Sequence, residues 1–158
     1  MKLDNRLARK VSLVSAIGAL LFPCVATATL GGSANSVAAD AQALSASVGG
    51  TTDFGSYTVE AMTSAGLTIK EFISKNGTVF AATWKGIHHP DLSQLLGTYY
   101  AEHRSTMTHT KKHMGRHPIS IKSSRVVVEM GGHMRAVSGR AYVSALIPNG
   151  VSLEDLHN

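Results

Sequence analysis

Leu67-Thr68-Ile69-Lys70-Glu71-Phe72-Ile73-Ser74-Lys75-Asn76-Gly77-Thr78-Val79-Phe80-Ala81-Ala82-Thr83-Trp84 decides the fold class of this 158-residue chain. From Leu67 to Ile73 the residues alternate, with Leu67, Ile69, Glu71 and Ile73 on one face and Thr68, Lys70 and Phe72 on the other. That is the period of two of a β-strand. Asn76-Gly77 is the strongest short-range hairpin signal, because both residues tolerate positive φ, and Thr78 to Trp84 returns as the next strand. Upstream, Tyr57-Thr58-Val59-Glu60-Ala61-Met62 alternates in the same way before the turn residues Ser64-Ala65-Gly66, which completes a three-stranded meander. Downstream, Pro90-Asp91 opens a helix. Its residues Leu92, Leu95, Leu96, Tyr99 and Tyr100 recur at i, i+3, i+4, i+7 and i+8, an apolar stripe suited to lying on a sheet. The helix is expected to stop near Arg104, ahead of Thr106 to Thr110, with Gly115 and Pro118 in the loop beyond. Arg125 to Met130 predicts a strand and Gly131-Gly132 a turn. Met134 to Ile147 predicts one or two strands, broken or bulged at Gly139, and Ser152 with Asp155 caps a final helical turn. The order β-β-β-α-β-β implies an α+β domain over residues 57–158, a small antiparallel sheet with one covering amphipathic helix.

Outside that block the sequence changes character. Lys2, Arg6, Arg9 and Lys10 precede an apolar run from Val11 to Phe22, Pro23 breaks it, and Ala26-Thr27-Ala28 offers small residues for a signal peptidase. Residues 1–28 therefore read as a secretory signal cleaved between Ala28 and Thr29, giving a periplasmic or secreted protein. The alternative is an uncleaved membrane anchor, since Val11 to Leu30 is long enough to span a bilayer. Cys24 follows Phe22-Pro23 rather than small residues, which argues against lipid attachment there. Residues 29–56 contain 16 Ala, Ser and Gly among 28 and read as a flexible lead-in.

A length of 158 residues allows one ordinary domain and excludes a TIM barrel or a kinase core. The formal charge of +5 shrinks once the signal is set aside. From Thr29 onward the chain has eleven Lys and Arg against nine Asp and Glu, a net of +2. The single cysteine lies in the signal, so the mature chain has no disulfide and no thiolate site.

Several stretches resemble a family of exported proteins from Gram-negative bacteria, a domain of unknown function numbered two thousand eight hundred and forty-four. They are Leu30-Gly31-Gly32, Tyr57-Thr58-Val59, Lys70-Glu71-Phe72-Ile73, Gly77-Thr78-Val79-Phe80 and Trp84-Lys85-Gly86. Pro90-Asp91-Leu92, Leu95-Leu96-Gly97-Thr98-Tyr99, Gly131-Gly132-His133-Met134-Arg135-Ala136, Gly139, Ala141 and the Pro148 to Gly150 ending continue the match. The resemblance implies no activity, substrate or catalytic residue. The stretch from His103 to Lys122 lies outside the shared pattern.

Three groups of residues are candidate sites. His109, His113 and His117 are spaced by four and on a helix would offer imidazoles to Zn²⁺ or Cu²⁺. Thr106, Thr108, Gly115 and Pro118 favour a solvated loop there, so no cofactor is expected. Arg104, Lys111, Lys112, Arg116, Lys122 and Arg125 form a basic segment with no acidic residue between His103 and Val128, suited to an anionic envelope component. Nucleic acid is not expected, because no aromatic residue interleaves with the charges to stack on bases. Trp84, His88, His89 and Asp91, with His133 and Arg135, are a candidate groove in which His and Asp would supply a general base. The competing reading of Asp91 is a helix cap. The expectation is a non-enzymatic periplasmic or envelope interaction module. A His-mediated divalent metal-binding protein and an enzyme of unrecognised type are the alternatives.

Overall fold

Seven antiparallel strands build the sheet, where the sequence order predicted five, and a computed structural model describes them within residues 29–34, 41–42, 45–109 and 118–156. They are β1 (Ser47–Asp53), β2 (Tyr57–Ser64), β3 (Leu67–Ser74), β4 (Val79–Gly86), β5 (Ile119–Lys122), β6 (Val126–His133) and β7 (Ala136–Val143). In space the order is β1-β2-β3-β4-β7-β6-β5. Two meanders, β1 to β4 and β5 to β7, thus meet where β4 pairs with β7. The α+β class with an antiparallel sheet stands. The element order is corrected to β-β-β-β-α-β-β-β.

Both added strands escaped the sequence for physical reasons. β1 lies in the stretch read as a flexible lead-in, and all seven of its residues are exposed, so no apolar alternation announces it. Pairing with β2 holds it, from Ser47 opposite Thr63 to Asp53 opposite Thr58. Other residues of that stretch are also built in. Leu30 and Ala41 are buried, and Ser33 bridges to Thr78. β5 is four residues long between Pro118 and Ser123-Ser124, too short for periodicity to show.

Gly131 and Gly132 do not turn the chain. They pair with Ser138 and Val137 inside β6, and the hairpin tip is Met134-Arg135, with Arg135 at φ 62. A Cβ on Gly132, at φ 116, would overlap the carbonyl of Ala136. β7 crosses Gly139 without a break, because Gly139 lies opposite Trp84, and a Cβ there would overlap the indole.

The helical connection between the meanders is divided. α1 (Leu92–Leu96) ends at Gly97, a 3₁₀ turn follows over Gly97–Tyr99, and α2 (Tyr100–His109) runs past the predicted stop at Arg104. Gly97 sits at φ 48, where a side chain is strained and would also overlap Thr29. The amide of Leu30 donates to the Leu95 carbonyl at 3.1 Å, so the N-terminal segment satisfies the end of α1. Thr106 and Thr108 are accommodated in α2 by donating their hydroxyls to the carbonyls of Glu102 (3.0 Å) and Ser105 (2.7 Å). A single covering amphipathic helix is therefore corrected to two short helices of different character.

The sheet buries both faces. On one, Met62, Ile69, Trp84, Val126, Val128 and Ala141 pack with Leu30, Leu95 and Leu96. On the other, Tyr57, Val59, Phe72, Phe80, Ala81 and Tyr142 pack under Leu156 and the partly buried Leu146, Ile147 and Val151 of the C-terminal segment. A capping box fastens that segment's last 3₁₀ turn, Leu153–Asp155. Ser152 accepts from Glu154 N at 3.1 Å, and Asp155 accepts from Ser152 N at 2.7 Å.

Candidate binding surface

The second face is not covered to its end. The C-terminal segment reaches Asp155, and beyond it the sheet lies open toward β1 over a cavity of about 450 Å³. Phe54, Tyr57 and Phe72 form its aromatic side, Lys70 and Asp155 its charged rim, and Gly50 and Thr52 of β1 its outer wall. Phe54 is 56% exposed, yet it is held stacked on Tyr57, with centroids 5.1 Å apart and planes at 15°. Tyr57 in turn meets Phe72 at 5.8 Å and Phe80 edge-on at 6.0 Å, so the platform is continuous with the core. The turn carrying Phe54 is fixed from both sides. Gly55 N donates to Asp53 Oδ1 at 2.7 Å, and Phe54 N donates to the Tyr57 carbonyl at 2.9 Å. Burial, with Asp155 nearby, pushes the Tyr57 hydroxyl above its ordinary value, keeping it neutral.

Along this opening runs the outer edge of β1, which has no neighbouring strand among the described residues. A bulge between Val48 and Thr51 interrupts its pairing, leaving Thr51 to Asp53 as the regular part of the edge. Free edges are guarded by charged residues, Pro or bulges, which discourage a further strand. Here the bulge lies at the Val48 end and the charge at Asp53, so Thr51 and Thr52 are the neutral, regular part of the edge.

The residues singled out from the sequence fall elsewhere. Trp84 is fully buried and its Nε1 donates to His89 Nδ1 at 3.1 Å, which requires that nitrogen to be unprotonated. The His88 Nδ1 lies 3.1 Å from the His89 carbonyl. Asp91 is the N-cap of α1 and accepts from Ser93 N at 2.8 Å and Ser93 Oγ at 2.6 Å. Those bonds hold its carboxyl below the usual range, so the cap reading of Asp91 is the one its hydrogen bonds support. His133 and Arg135 are exposed at the β6–β7 hairpin tip, and Met134 between them is 92% exposed.

His109 is exposed at the end of α2, while His113, His117, Lys111, Lys112 and Arg116 lie outside the described residues, as do residues 1–28 up to Ala28. Among the described residues no group of three or more His, Cys, Asp or Glu is placed to hold a metal ion. Arg104 and Lys122 are exposed. Arg125 is not a free cation. Its Nε meets Glu102 Oε2 at 2.8 Å, its amide donates to Glu102 Oε1 at 2.8 Å, and its guanidinium lies 5.0 Å over the Tyr99 ring. Ser124 Oγ also donates to Glu102 Oε1 at 2.8 Å. These three donors hold the Glu102 carboxyl down at about 2. The acid-free stretch of sequence therefore meets an acid in space, from one residue before its start.

Sequence reasoning did not find the Phe54-Tyr57-Phe72 platform, although Phe54 and Tyr57 flanking Gly55-Ser56 was a visible hint. Nor did it find His103, which is 1% exposed with neither ring nitrogen hydrogen-bonded among the described residues. No local pattern marks that position.

No curated protein and no solved structure is significantly similar to the chain. A family model does match, over residues 26–156, and it spans every strand and helix described above. The chain belongs to the family described as protein of unknown function DUF2844.

Proposed function

We propose that the protein is a non-enzymatic binding module of the bacterial envelope, exported through a signal cleaved after Ala28. It takes an extended segment of a partner polypeptide along β1 as an eighth strand. The observation that carries this reading is the β1 edge, where Thr51 and Thr52 lie exposed beside the Phe54-Tyr57-Phe72 opening. Backbone hydrogen bonds along a free edge supply affinity without sequence preference, and a pocket for an alternate side chain supplies specificity. An apolar side chain of the added strand fits that opening, between Lys70 and Asp155. Asp91 is committed to the helix cap, which leaves His88 and His89 without the carboxylate that a general base of that kind would use.

Photo-crosslinking in intact cells tests the reading. A crosslinker at Thr51 or Thr52 is expected to trap one discrete polypeptide, and Thr52→Lys is expected to abolish the product by placing a charge on the edge. Equal yields from a crosslinker at exposed Arg104, or no change with Thr52→Lys, would sink it. N-terminal sequencing of the exported protein checks the address. Thr29 is the residue expected first, and retention of Met1 in the membrane fraction would favour the uncleaved anchor.

A further inference from the structure

At the opposite end of the strand order from β1, a second cavity of about 300 Å³ opens between the β5–β6 turn and the 3₁₀ turn Ser144–Leu146 that follows β7. Its apolar walls are Val127, Val143 and Leu146, and its polar side is Ser123 and Arg125. One buried polar atom there lacks a partner, and one charged group is held in place beside it. The Ser123 Oγ is buried and has no hydrogen-bond partner among the described residues, a state that carries a desolvation cost unless something accepts from it or donates to it. Arg125, its side chain 62% exposed, is oriented by Glu102 through Nε and by Tyr99 beneath the guanidinium, which leaves Nη1 and Nη2 open to a ligand.

The geometry points to a binding site for a small carboxylate, its two oxygens taken by the Nη groups of Arg125 with the Ser123 hydroxyl donating to one of them. Planar guanidinium and planar carboxylate match as a two-bond fork, and a fork already held in place loses little freedom on binding. Glu102, 2.8 Å from Nε, offsets much of the Arg125 charge. A singly charged oxyanion is thereby favoured over a doubly charged phosphate. The volume lies at the lower end of small-molecule sites, and the valine and leucine walls suit a short alkyl or aryl body. This site is independent of the β1 edge.

Titration of the isotope-labelled protein with butyrate and benzoate, followed by amide NMR, tests the assignment. Saturable shifts are expected at Ser123 to Val127 and Ser144 to Leu146, and none with butanol, which has the body without the charge. Arg125→Gln is expected to weaken binding about tenfold or more, and Ser123→Ala about threefold. Ser123→Ala leaves the Glu102 contacts in place, so a loss there is not unfolding, and Lys85→Gln on exposed β4 surface serves as the unaffected control. Absence of saturable shifts at millimolar carboxylate would overturn the site. So would full binding by Arg125→Gln, or an equal response to inorganic phosphate, which would mark a non-selective cationic surface.

Discussion

Leu95 and Leu96 of α1 are buried among Met62, Ile69 and Trp84, whereas α2, with ten residues to the five of α1, buries only His103. One connection, interrupted at Gly97, thus attaches to the sheet in two ways. α1 is held by apolar area, which is non-directional and indifferent to pH. α2 has no apolar stripe beyond its first residue, Tyr100, which packs partly buried on the core. The rest is held by bonds that Glu102 accepts from Ser124 and Arg125, and its one buried side chain is a neutral imidazole without partners among the described residues. The comparison teaches that a helix lacking an amphipathic pattern still docks if a few polar groups are well placed. Its docking then inherits the titration of those groups.

Four measurements test this contrast. Leu96→Ala, in α1, removes a fully buried side chain and is expected to destabilise by about 2–5 kcal/mol in urea unfolding, equally at pH 5 and pH 8. Glu102→Gln, in α2, is expected to cost about 1–3 kcal/mol at pH 7, because Arg125 and Ser124 lose a charged acceptor. Its pH signature differs from that of Leu96→Ala. Glu102 sits at about 2 in the fold against its ordinary 4.5. The wild type therefore keeps this contribution above pH 4.5 and loses it as pH falls from 4.5 toward 2, and the variant shows no such loss.

His103 titrates at higher pH, with the same sign. Burial holds it below its ordinary 6.5. As pH falls below 6.5 the unfolded chain takes up a proton before the folded one, so stability is full above 6.5 and declines below it. His103→Leu is expected to flatten that decline between pH 6.5 and 5, and to change stability by no more than about 1 kcal/mol at pH 7.5, because it removes two unsatisfied nitrogens. Hydrogen exchange of the α2 amides is the readout, with protection factors, taken relative to the intrinsic exchange rate at each pH, falling on acidification in the wild type and not in the variant. Met134→Lys, at the exposed hairpin tip, is expected to stay within about 0.5 kcal/mol.

What could be read in advance depended on period and burial. β2 and β3 carry alternation strong enough to place to within a residue or two, whereas β4, buried on both faces from Val79 to Trp84, was placed by the Asn76-Gly77 turn that precedes it. The Leu92 to Tyr100 stripe located the helical connection. The cap role of Asp91 was legible too, since Asp91 stands immediately before the Leu92 stripe. The candidate surfaces were less legible. Phe54, Tyr57 and Phe72 come from a turn and two strands, and Glu102 meets Arg125 across 23 positions. Neither arrangement leaves a local spacing to detect.

The amino-acid sequence alone determined the α+β class, the first three-stranded meander, the helical connection and the family, because these rest on local periodicity and on residues read in order. Only the tertiary structure decided that β1 and β5 exist. It also decided that the helix divides where Thr29 crowds Gly97, and that β7 must pass Trp84 with a glycine. It alone placed Arg125 between Glu102 and a cavity. Each of those features depends on groups far apart in the chain, and long-range pairing leaves no period in the sequence.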